Sequence, residues 1–331
     1  TGTTTVAGGT LNLQDTIGGG GSNYKGSNIN INGASTLRVY GQRYNFGGET
    51  FTFDSVGGGT LDAIASGAGG MVFMGNNTFA TSGGAQNIIS GTRIDAQNQG
   101  FNLNGSSAIF EVASGSDTTS DLKVTGTIWN GGNVTKNGTG RMEISATQGY
   151  TGTTAVNEGT LLLGDGTNNV DLSNSHDVSI DSDATLQLNY PVGNPDTIDK
   201  LFLGGVQVAS GTWGSLASSA DHTSALITGP GLLNVITPPP ADPYLAWINA
   251  TWPSLSDKTP TGDPDNDGIA NLMEYVLQGG DPSVSTTGTL PTLNASGVNF
   301  VFTYFRRAAA TGTTQVFQYS PDLGVTPWTN L

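Results

Sequence analysis

A short cassette recurs between Gly8 and Val235 and limits the fold more than any other feature of the chain. A small residue or glycine is followed by Thr, Leu, one spacer and an apolar residue. It reads GGTLNL at 8–13, ASTLRV at 34–39, GGTLDA at 58–63, EGTLLL at 158–163 and DATLQL at 183–188. Looser copies stand at 106–112, 140–144 and 231–235. Leu11, Leu37 and Leu61 succeed one another at nearly equal intervals, and Leu161 and Leu186 repeat the same interval later in the chain. Apolar and polar residues alternate within most copies, which is the period of a half-buried strand. One short strand cannot bury its apolar face alone, so units repeating every ~20–26 residues must stack on one another.

The expected architecture is therefore mainly β: a right-handed parallel β-helix, or solenoid, over residues 1–236, of about ten coils at ~4.8 Å each. A β-sandwich or jelly roll is the competing reading, with turns every ~8–12 residues but no recurring cassette. Asparagines at the turns (Asn28, Asn30, Asn32, Asn76, Asn77, Asn102, Asn104) suit stacked amide ladders. They equally suit ordinary turns that tolerate a left-handed backbone.

Composition narrows the function. Lys+Arg 11 against Asp+Glu 26 gives a formal net charge of −15, which argues against nucleic acid and anionic membrane surfaces as partners. With no cysteine, disulfides and thiolate metal sites are excluded. No apolar run is long enough for a membrane span, and no signal-peptide pattern is present.

Residues 1–13, TGTTTVAGGTLNL, slide onto residues 151–163, TGTTAVNEGTLLL. The second copy carries a lead-in, VTKNGTGRMEISATQGY at 134–150, and the first does not. On this reading the sequence starts part-way through a repeat unit. Either upstream units are missing, or another copy completes the exposed half-unit head-to-tail by β-augmentation and builds a filament. The stretch 134–166, with its lysine, G-T-G, Y-T-G-T-T and G-T-L, resembles the autotransporter-associated β-strand repeat. Segments 199–214 (DKLFLGGVQVASGTWG) and 227–235 (ITGPGLLNV) are similar to the closing part of large secreted bacterial proteins that carry this repeat. The resemblance implies a right-handed β-helix, export, and an extracellular or cell-surface location; it implies no particular chemistry.

The pattern changes at TPPPADP, 237–243, whose three prolines favour an extended spacer. Beyond it, in 244–331, Leu245, Ile248 and Trp252 stand at helical spacing. Then comes DPDNDGIANLME, 263–274, which fits the calcium-loop pattern D-x-[DN]-x-[DN]-G-x₅-E without a gap. Ca²⁺ takes six to eight hard oxygens. Asp263, Asp265 and Asp267 would converge from alternate positions, Gly268 would permit the sharp turn, and Ile269 would offer its carbonyl. Asn271 would act directly or through water, and Glu274 would close the site with both carboxylate oxygens. A solvated acidic turn capping a helix is the bland alternative. Ile269, Leu272, Met273, Val276 and Leu277 would share one helix face, ended by Gly279 and Gly280. The loop is similar to those of EF-hands, dockerins and thrombospondin type 3 repeats. With strands over 298–307 and 314–323, the region resembles a C-terminal module of secreted proteins from Verrucomicrobia-like bacteria.

No catalytic constellation is legible. Asp177, Asp181 and Asp183 read as solvated turns, His176 and His222 as surface turns, and the basic residues before the linker are scattered. One local cluster, Arg38, Tyr40, Arg43 and Tyr44, would suit a sugar-binding platform through stacking and bidentate contacts. Alternation explains it as well by placing Leu37 and Val39 inside. The expectation is a non-enzymatic structural or adhesive surface protein with Ca²⁺ as its cofactor. Its partners would be copies of itself or a surface polysaccharide. A carbohydrate-active lyase or hydrolase is the alternative.

Overall fold

The structure is a computed structural model that describes the chain except residues 1, 15–21, 25–27, 42, 66–70, 93–100, 104, 117–118, 168, 171, 297–298, 317, 320–326, 328 and 331. The chain divides into two compact units, Thr1–Pro239 and Pro240–Leu331.

The first unit is mainly β, and its strands assemble into long parallel sheets. One sheet takes, in chain order, Thr4–Val6, Asn28–Ile31, Thr50–Phe53, Asn77–Thr81, Ala108–Val112, Val134–Asn137, Thr154–Val156, Asp177–Ile180 and Lys200–Leu203, with Val206–Gln207 added antiparallel. A second takes the cassette strands Thr10–Gln14, Thr36–Gly41, Thr60–Ala65, Asn87–Thr92, Leu122–Val124, Arg141–Ile144, Gly159–Leu163, Ala184–Leu188 and Ile227–Thr228. A third, shorter sheet takes Ser22–Asn23, Arg43–Gly47, Met71–Gly75, Phe101–Asn102 and Ile128–Trp129. Each strand pairs with the one that follows it in its own sheet, which is not the arrangement of an antiparallel sandwich.

Parallel register lines up equivalent residues in columns. In the first sheet Ile29, Phe51, Phe79 and Phe110 succeed one another, all buried. The rings of Phe51, Phe79 and Phe110 stack at 5.1 and 5.0 Å between centroids. In the second sheet the column runs Leu11, Leu37, Leu61, Ile89, Val124, Ile144, Leu163, Leu188. The cassettes do not all stack leucine on leucine, as their sequence similarity suggests. Leu161 and Leu186 lie two positions earlier, in the column of Asn87, Leu122 and Met142. A shift of two keeps every side chain on its own face, so the core tolerates it.

Lys136, from the resembling repeat, takes the place after Phe110 in the buried column and is itself 0 % exposed. Its Nζ donates to the carbonyls of Asn137, Gly138 and Glu158. Gly138 and Gly159 have φ of 75° and 66°, and a Cβ on either would fall 2.6 Å or less from a carbonyl oxygen of the adjacent turn. The motif's lysine and glycines thus serve one tight corner. Burial pushes the Lys136 amine down to about 8, against the pull of Glu158, Asp121 and Glu111.

Polar residues also pair from one strand or bend to the next. Asn157 donates to Asn137 and Asn137 to Glu111, and Asn130 donates to Asn102. Two amide pairs are therefore present, and of the expected asparagines only Asn102 takes part in one. Asn76 and Asn77 instead accept backbone N–H groups, and Asn104 lies outside the described residues.

The histidine reading needs correction. His176 is 0 % exposed and packed edge-on against the Tyr150 ring at 4.3 Å. His222 is partly buried and stacks on Trp213 at 4.8 Å. Short polar neighbours suggested turns, but His176 immediately precedes a strand and its ring folds inward against Tyr150.

In the second unit, helix α1 (Pro243–Thr251) starts at Asp242, whose side chain accepts from the N–H groups of Tyr244 and Leu245. Packing against Tyr275 selects the buried face. Tyr244 and Ile248 are buried, whereas Leu245 is 45 % exposed, contrary to the face expected from spacing. Helix α2 is only Asn271–Val276. Ile269, Val276 and Leu277 are buried as expected, but Leu272 and Met273 face outward. Tyr244, Ile248, Tyr275, Val276 and Ala310 make the small core. Thr292–Ser296 pairs antiparallel with Asn299–Thr303, and Gln318–Tyr319 with Thr329–Asn330. No helix among the described residues is long and apolar enough to cross a membrane.

Candidate metal centre

The acidic loop before α2 gathers three carboxylates. Asp263, Asp265 and Asp267 each bring an oxygen within 4.8 Å of the others. Left alone, three like charges at that spacing repel. Backbone N–H groups hold them in place. Asp263 accepts from Asp267 N–H at 3.1 Å and from Gly268 N–H at 3.0 Å. Asp265 accepts from the same Asp267 N–H at 3.1 Å, and Asp267 accepts from Ile269 N–H at 2.8 Å. The chain turns this tightly because Asn266 and Gly268 adopt left-handed φ of 60° and 85°.

Glu274, on α2, is 0 % exposed. Its Oε1 accepts from the Thr286 hydroxyl at 2.8 Å, and its Oε2 is buried without a partner. Burial, then the charges of Asp265 and Asp267, push its carboxyl up to about 7. Asp265 is raised as well, by burial first and then by its neighbours Asp267 and Asp263, and its Oδ2 is also buried and unpartnered. Asn271 is fully buried; its amide nitrogen donates to the carbonyls of Asp257 and Thr259, leaving Oδ1 without a partner. Ile269 buries its side chain beside the loop.

Of the six residues expected from the motif, the structure brings Asp263, Asp265 and Asp267 together as a cluster that can hold a metal ion. Glu274 couples to that cluster through charge and through a shared neighbour, Thr286. The donor set is all oxygen, with three orphaned buried oxygens at its margin. That chemistry fits a hard divalent cation. Thr286 was not legible from the motif, since it stands well beyond Glu274 in the chain.

The sugar-platform residues fare differently. Arg38 donates through Nε to Asp62 at 2.9 Å, and Asp62 also accepts from Ser90. The side chains of Tyr40, Arg43 and Tyr44 lie outside the described residues. Asp177 pairs with Lys200 at 3.4 Å, and Asp181 accepts from Ser182 N–H.

No protein-family model, curated protein or solved structure matches this chain.

Proposed function

We propose that this chain is a non-enzymatic structural or adhesive protein of the cell surface or extracellular space. Its first unit is read as a right-handed parallel β-helix, and its second as a module stabilised by Ca²⁺. The observation that carries the proposal is what the polar groups outside the apolar core of the first unit do, several of them buried. Arg38–Asp62–Ser90, Lys123–Glu143–Ser120 and Glu111–Asn137–Asn157 bond to one another along the stack. Groups engaged by neighbouring strands brace a scaffold rather than converge on a substrate. The handedness follows the resemblance of 134–166 to the autotransporter-associated repeat. Ca²⁺ is favoured among hard cations because the loop supplies several carboxylates at the calcium-loop spacing. Extracellular modules of this kind bind at about 10⁻⁴–10⁻³ M, where millimolar Ca²⁺ keeps them filled.

The purified chain would be incubated with neutral and acidic polysaccharides in Ca²⁺-containing buffer, following new reducing ends and the ultraviolet absorbance of unsaturated uronates. The expected result is no turnover on any of them. Steady product release from any one would replace the scaffold reading with a carbohydrate-active enzyme.

A further inference from the structure

The loop motif ends at Glu274, yet a partner that bridges two of its carboxylates comes from a later segment. Thr286 donates its backbone N–H to Asp267 Oδ2 at 2.6 Å and its hydroxyl to Glu274 Oε1 at 2.8 Å. One residue therefore fixes an oxygen from each of two acidic groups on different elements. The remaining Asp267 oxygen accepts from Ile269 N–H, and the remaining Glu274 oxygen is buried and unpartnered. Two independent observations point to a cation here. Three carboxylates meet within 4.8 Å, and a wholly buried glutamate with an orphan oxygen lies within the electrostatic reach of two of them.

The segment carrying Thr286 is itself braced. Asp281 accepts from the Ser283 N–H and hydroxyl at 2.9 and 2.6 Å. The Thr286 carbonyl accepts from the Thr289 N–H and hydroxyl, both at 2.8 Å. Arg307 donates to the Gly280 carbonyl at 2.9 Å, just before this turn. The donor is thus presented on a fixed frame. Such a frame is what an outer partner needs if it is to aim a ligand rather than follow it.

We propose that Thr286 is a positioning residue of the cation site, orienting Asp267 and Glu274 toward a hard divalent ion from outside the acidic loop. This rests on the Ca²⁺ reading above. Without the hydroxyl, Glu274 Oε1 would be buried without its donor, and the carboxylate would lose the contact that sets its rotation. Without the N–H anchor, Asp267 would be held only by its own loop.

The test is calorimetric titration of the full chain with CaCl₂, with terbium luminescence as a second readout. Wild type, Thr286→Val and Thr286→Ser would be compared, and unfolding in EDTA would be measured for each. Wild type should bind one ion, Thr286→Val should bind about 10–100-fold more weakly, and Thr286→Ser, which keeps both donors, should bind like wild type. The EDTA unfolding temperatures should agree among the three. Equal affinity of wild type and Thr286→Val would overturn the positioning role while leaving the metal site standing. A drop in the EDTA unfolding temperature that accounts for the lost affinity would reduce the contact to a fold-stabilising bond and also overturn it. Failure of the wild type to bind would instead defeat the Ca²⁺ reading itself. Should Thr286→Val not fold, Thr286→Ala takes its place in the same comparison.

Discussion

The two units solve the same problem, keeping a small-residue-rich chain ordered, by opposite means. In the first, order comes from repetition: the buried column of one sheet is continuous from Ile29 to Ile180, and charged groups pair with the next strand. In the second, the buried cluster is small, and beside it the chain concentrates carboxylates that repel. A repeated core is insensitive to what is dissolved around it. A cluster of like charges is not, so the second unit should answer to metal while the first answers to packing and pH.

That contrast can be broken at several points. The largest expected effect is in the first unit. Phe79 stacks between Phe51 and Phe110, and Phe79→Ala should cost about 3–5 kcal/mol by leaving a cavity in the column. Calorimetric unfolding should show the loss in the first unit's transition, with Ca²⁺ unable to restore it. Acidification comes next. Burial pushes the His176 imidazole down to about 4, so the folded state holds the ring neutral. Its contribution is fully present above the ordinary value of about 6.5 and is lost as pH falls toward 4, by roughly 3 kcal/mol in total. Comparing denaturation midpoints at pH 7 and pH 4 should show this decline, and His176→Leu should flatten it. A variant as acid-sensitive as the wild type would assign the decline to other groups.

Ca²⁺ itself is the third lever. At about 100 times its dissociation constant it should stabilise the second unit by about 2.7 kcal/mol and leave the first unit's transition where it was. Movement of both transitions together would erase the distinction between them. The smallest effect is local to α1: Asp242→Ala removes the cap over Tyr244 and Leu245 and should cost about 1 kcal/mol in the second unit alone.

Much of this was legible in the sequence because the physics was local. Alternation in TLRV and TLQL gives the strand and its faces, and D-x-D-x-D-G gives the converging loop. What was not legible depends on long-range register. Leu161 and Leu163 look alike, and only the pairing of Ile144 with Leu163 decides which one continues the column of Leu61. His176 sits among Ser, Asn and Asp, so its burial against Tyr150, distant in the chain, leaves no local trace. Leu245 shares helical spacing with Ile248, but so does Tyr244, and it is Tyr244 that packs against the distant Tyr275 and is buried. Thr286 is one of many threonines, and only the turn that returns it to Asp267 and Glu274 singles it out.

The uneven distance between paired strands has a consequence for where such a chain can vary in length. In the first sheet the path from Lys136 to its partner Val156 is short, and the path from Phe79 to its partner Phe110 is markedly longer, yet both fit the same ladder. The bends therefore take up connections of different length while the strands keep one ladder. Within a strand the rule is stricter. A shift of a single residue would reverse every face, whereas the two-position offset of Leu161 and Leu186 keeps each side chain on its own face. Length is thus a freedom of the bends, and parity is the condition each strand must meet.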